Sequence, residues 1–74
     1  MLPSAARMAS FEAVKPFIDE VMAEVDEASK KGLLFVRPKC TTDLPLGVKQ
    51  TVTSYFRENG FVIRNFGKWI EIKW

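Results

Sequence analysis

The chain has no histidine and a single cysteine, Cys40, among its 74 residues. The missing histidine removes the most frequent general base and the most frequent metal ligand together. A lone cysteine excludes the internal disulfides on which small secreted domains usually depend, and points to a reducing, cytoplasmic compartment. No apolar run approaches the roughly 18 residues of a membrane span, and no segment has the basic, apolar and small-residue order of a secretory signal, so no membrane partner is expected. Glycine occurs only as isolated punctuation at Gly32, Gly47, Gly60 and Gly67, which leaves no glycine-rich phosphate loop.

What remains does not assemble into a reaction centre. Cys40 stands between Lys39 and Thr41, a neighbourhood that favours a thiolate, but with no histidine or second thiol near it the residue reads as a half-buried small hydrophobe in a connector. Five of the carboxylates lie on the outer arc of one helix instead of converging in a cleft. The expectation is a non-enzymatic protein without metal or cofactor.

The length permits one core and no second domain. Apolar residues make up 47% of the chain, with six Phe, two Trp and one Tyr, a globular composition. Residues 1–9, small and weakly patterned, read as a flexible leader, and 10–74 as the domain. Charge is divided unevenly. From Met8 to Ser29, six acids face only Lys15, a net −5; from Lys30 to Trp74, nine bases face Asp43, Glu58 and Glu71, a net +6. Such a division suits either a polyanionic partner or two halves of one domain that attract each other.

Periodicity orders the chain as helix, strand, helix and β-hairpin, an α+β fold with a small three-stranded antiparallel sheet packed against two helices. Phe11, Val14, Ile18, Val21, Val25 and Ala28 recur at steps of three and four, one stripe of an amphipathic helix. Pro16 places its regular start near Val14 to Pro16, after a looser lead-in from Ser10 to Ala13, and Gly32 supplies a left-handed cap. Leu33 to Val36 reads as a short strand with little exposed face, and Lys39 to Leu44 as a connector. Pro45 opens the second helix, with Leu44, Val48, Val52, Tyr55 and Phe56 on one side and Lys49, Thr53 and Arg57 on the other. A turn at Phe66-Gly67, as a four-residue loop or a type II turn, pairs Arg64 with Trp69, Ile63 with Ile70, Val62 with Glu71 and Phe61 with Ile72. Phe61, Ile63, Ile70, Ile72 and Trp74 then share the core face, and Val62, Arg64, Trp69, Glu71 and Lys73 the other.

Two surfaces follow as binding candidates. The outer sheet face, with Val62, Arg64, Phe66, Trp69 and Glu71, combines the aromatic and arginine types that anchor protein interfaces. The competing arrangement lays the first helix over this face and makes Trp69 core. The ridge Lys49, Thr53, Arg57, extended by Arg37, Lys39 and Lys68, has the basic and hydroxyl groups suited to phosphate, or is simply a solvated face. The element order invites a winged-helix comparison with Asn65 to Lys68 as wing tip, yet that motif needs two helices between the first strand and the wing.

Leu44-Pro45 with Val48, Val52 and Asn59-Gly60-Phe61, followed by Gly67-Lys68-Trp69-Ile70-Glu71-Ile72-Lys73-Trp74, resembles small bacteriophage-encoded accessory proteins that end in a helix, a glycine-led hairpin and a tryptophan. The resemblance covers about the last thirty residues and structural rather than catalytic positions. It implies a non-enzymatic module that binds and modulates a host protein in the host cytoplasm. The alternatives read from the residues are a small basic nucleic-acid-binding protein and self-association through the apolar face.

Overall fold

The computed structural model describes residues 2–39 and 44–74. Cys40 and the expected connector positions 41–43 lie outside the described residues. The element order is α1 (Pro3–Ala13), α2 (Lys15–Lys30), β1 (Phe35–Val36), α3 (Leu46–Glu58), β2 (Val62–Asn65) and β3 (Ile70–Lys73). The α+β architecture and the three-stranded antiparallel sheet expected from periodicity are present, in strand order β1-β3-β2.

The N-terminal reading needs correction. Residues 3–9 are helical and continue through Ala13 as α1, which has Pro3 in its first turn and buries none of its residues. Proline at a helix start and four alanines in the segment favour helix locally, without an apolar stripe to announce it. Pro16 cannot donate to the Glu12 carbonyl and its ring crowds that group, so the chain breaks at Val14 (φ −103, ψ 9) and restarts as α2. α1 is fastened to α3 by an Arg7–Glu58 ion pair and by Phe11 edge-on to Tyr55, ring centroids 5.4 Å apart.

α2 buries the stripe its sequence marks, Ile18, Val21, Val25 and Ala28, with Val14 just before it. Its acidic outer arc is solvated and partly paired along the helix, Lys30 with Asp26 at 2.9 Å and Lys31 with Glu27 at 3.1 Å. The Asp26 hydrogen bond and charge raise the Lys30 ammonium above its ordinary 10.5. Gly32, at φ +83, turns the chain out of the helix.

β1 departs from expectation. Only Phe35 and Val36 pair, and Leu33, Leu34 and Phe35 are exposed; an apolar run does not specify burial when its strand lies at a sheet edge.

The hairpin register is two residues away from the expected one: Val62 opposes Lys73, Ile63 opposes Ile72, Arg64 opposes Glu71 and Asn65 opposes Ile70. The Phe66 amide donates to the Trp69 carbonyl at 3.0 Å. The central pair of the turn is therefore Gly67-Lys68, with Gly67 at φ +87 in the position where hairpin turns need a left-handed residue. Because the shift is even, every side chain keeps its expected face.

Ile63, Ile70 and Ile72 close onto Val14, Ile18, Val21 and Val25 of the α2 stripe and Val52 and Phe56 of α3, with Val36 and Phe61 packed at the margin. Trp74, expected in the core, is instead 38% exposed, leaning edge-on to Phe61 at the sheet's end. Both α2 and α3 occupy this one face of the sheet, which decides what the other face can be.

A candidate docking surface on the outer sheet face

Strand alternation sends Phe35, Val62, Arg64, Glu71 and Lys73 away from the helices. The arrangement in which the first helix covers this face is not the one found, and no described helix lies over Trp69. Its cover is a guanidinium: Arg37, just past β1, sits 4.4 Å from the Trp69 ring centroid. Phe66 stacks on the indole at 4.3 Å with an interplanar angle of 24°, and Arg64 lies 5.3 Å from the Phe66 centroid. The four side chains form a row of cation, indole, phenyl and cation. Each cation–π contact is worth about 0.5–1 kcal/mol at an exposed site, and an aromatic pair about as much beyond its area burial.

Glu71 lies beneath this row. It is 7% exposed, with Oε2 3.5 Å from Arg37 and Oε1 3.9 Å from Arg64. Expected as a surface contact, it is instead an internal anchor that draws a guanidinium from each edge of the sheet toward the central strand. Both arginine side chains remain more than half exposed. Each guanidinium has more donors than the Glu71 contact uses, and its exposure leaves the rest accessible to solvent. Arg37, assigned from sequence to a basic helical ridge, is thus a member of this site. That membership depends on β1 pairing with β3 across more than thirty residues of chain, Phe35 with Lys73 and Val36 with Ile72, which no local pattern announces.

The ridge itself is not assembled. Lys49 and Thr53 are buried, 8% and 7% exposed, on the side of α3 that meets the sheet. The Lys49 ammonium donates to Asn65 Oδ1 at 3.1 Å and to the Gly67 carbonyl. The Thr53 hydroxyl donates to the Gln50 carbonyl at 3.0 Å. Arg57 is solvent-exposed on α3, while Arg37 belongs to the opposite face of the sheet, so the six residues do not share a surface. Lys39 donates its amide to Glu24 at 3.4 Å, and Lys68 is exposed in the hairpin turn.

A second concavity, of about 270 Å³, lies between α1, α2 and α3, floored by Met8, Phe11, Ile18 and Tyr55 and rimmed by Glu12, Lys15 and Asp19. Among the described residues no three His, Cys, Asp or Glu side chains converge as metal ligands, and no helix is long and apolar enough to cross a membrane. Known protein families, characterised proteins and solved structures offer no match to the chain.

Proposed function

We propose that the chain is a non-enzymatic protein-interaction module that engages a protein partner through its outer sheet face. The observation that carries this reading is the row Arg37, Trp69, Phe66, Arg64 on a sheet face that no described helix covers. Rigid aromatic groups framed by arginines contribute most of the energy at measured protein interfaces, because they bring large area at small entropic cost. The resemblance of the C-terminal helix and hairpin to phage accessory proteins extends the proposal to a host protein as the target. Nucleic-acid binding through α3 is less well supported, since Lys49 is committed to the hairpin turn and Thr53 is buried.

The test is affinity capture from host lysate with the intact chain, Trp69→Ala and Arg37→Glu in parallel, each checked for folding by circular dichroism. Both variants should fold and lose the partner that the intact chain retains. Retention of that partner by both folded variants refutes the assignment of the face. If Trp69→Ala unfolds, Arg37→Glu, which alters an exposed side chain, decides alone.

A further inference from the structure

We infer that the partner presents an acidic segment of polypeptide, whose carboxylates pair with Arg37 and Arg64 on either side of the Trp69–Phe66 stack. The inference rests on the outer sheet face being the docking surface, and adds the chemistry of what docks.

Three observations lead to it. Among the described residues the face and its turn carry Arg37, Arg64, Lys68 and Lys73 against a single side-chain carboxylate, Glu71, and that carboxylate is already paired with the two arginines. The surplus of positive charge is therefore directed outward. Each guanidinium is biased toward Glu71, at 3.5 and 3.9 Å, and lies against an aromatic ring, while more than half of its side chain stays exposed. Such a preorganised fork matches a carboxylate in two-pronged geometry and loses little freedom on binding. The two guanidinia come from opposite edges of the three-stranded sheet, lean toward Glu71 on the central strand and flank the Trp69–Phe66 stack. A segment that carries more than one carboxylate can engage donors on each side of that stack.

The same geometry argues against a nucleic acid as the occupant. Base stacking needs an open ring face, but Trp69 is held between Arg37 and Phe66, and Arg64 lies over Phe66.

The test uses the full chain and three fluorescein-labelled probes: a short peptide of alternating Glu and Ser, its counterpart of alternating Gln and Ser, and an oligothymidylate of equal length. Anisotropy is followed at low and moderate salt. The Glu-Ser peptide should bind, perturb tryptophan emission and weaken with salt. Arg64→Glu should lower its affinity roughly tenfold or more, while Arg57→Glu, the same charge change on α3, should leave it within about twofold. Equal binding of the Gln-Ser peptide, tighter binding of the oligothymidylate, equal losses in the two variants, or no binding at low salt each overturns the inference. So does sedimentation showing that the chain alone associates through this face, which would make a second copy the occupant. If capture of the cellular partner depends on Trp69 and Arg37 while the acidic peptide fails to bind, the docking face stands and the acidic chemistry falls; if capture is indifferent to both residues, the face itself falls.

Discussion

The side-chain ammonium of Lys49, in the first turn of α3, lies 3.1 Å from Oδ1 of Asn65 at the end of β2. The same ammonium donates to the Gly67 carbonyl, and the Gly67 amide closes back onto Asn65 Oδ1 at 2.9 Å. A nearly buried cation, one side-chain amide and one turn carbonyl thus tie the helix to the hairpin that carries Phe66 and Trp69. Lys49→Met keeps the aliphatic stem and removes the three donors, leaving the turn carbonyl without this partner. The expected cost is about 1–3 kcal/mol, read as a fall in the urea midpoint, with a lowered melting temperature of roughly 4–8 °C per kcal/mol.

Gly67 and Gly47 should respond in opposite directions to the same change. Neither would bring an added Cβ within 4 Å of another group, but Gly67 has φ +87 whereas Gly47 lies in the first turn of α3 without a positive φ. Gly67→Ala should destabilise by about 1–2 kcal/mol through left-handed strain. Gly47→Ala should stabilise by up to about 1 kcal/mol by restricting the unfolded chain. Paired thermal melts of the two variants check both signs.

Phe56 is fully buried and stands in a chain of edge-on aromatic contacts, touching Tyr55 at 5.3 Å and Phe61 at 5.4 Å. Phe56→Ala should cost about 3–5 kcal/mol. For a domain of this size that is most of the stability available, so the variant should lose its cooperative thermal transition. Persistence of that transition within a few degrees of the parent would show that the core is centred elsewhere.

Glu71→Gln keeps the shape of the anchor and removes its charge. Both guanidinia are largely solvated, so the loss in stability should be small, about 1 kcal/mol or less. The ordering of Arg37 and Arg64 should suffer more, visible in NMR as faster motion of their Nε–H groups and a shifted Trp69 indole resonance.

Much of the fold was legible because burial and periodicity agree in it. The α2 stripe from Val14 to Ala28 and the alternation of Ile63, Ile70 and Ile72 each have one chemistry per face. Legibility failed where residue type and position disagree. Lys49, Val52, Thr53 and Phe56 form a buried helical stripe, but a lysine and a threonine within it suggest solvent unless their partners across the hairpin are known; the lysine stem packs while its head finds acceptors. Leu33 to Phe35 failed in the opposite sense, being apolar yet exposed at a sheet edge. α1 has no buried residue to generate a pattern. Within the candidate site, Arg64, Phe66 and Trp69 could be placed from the hairpin alone, while the roles of Arg37 and Glu71 depend on the β1–β3 pairing.

The most direct measurement is hydroxyl-radical footprinting of the intact chain, free and bound to the partner it captures. Oxidation of Trp69 and Phe66 should be appreciable in the free chain and strongly suppressed in the complex, while Met22 on the outer side of α2 should react equally in both. Protection confined to α1 and α2, with Trp69 and Phe66 as reactive in the complex as before, would contradict the account.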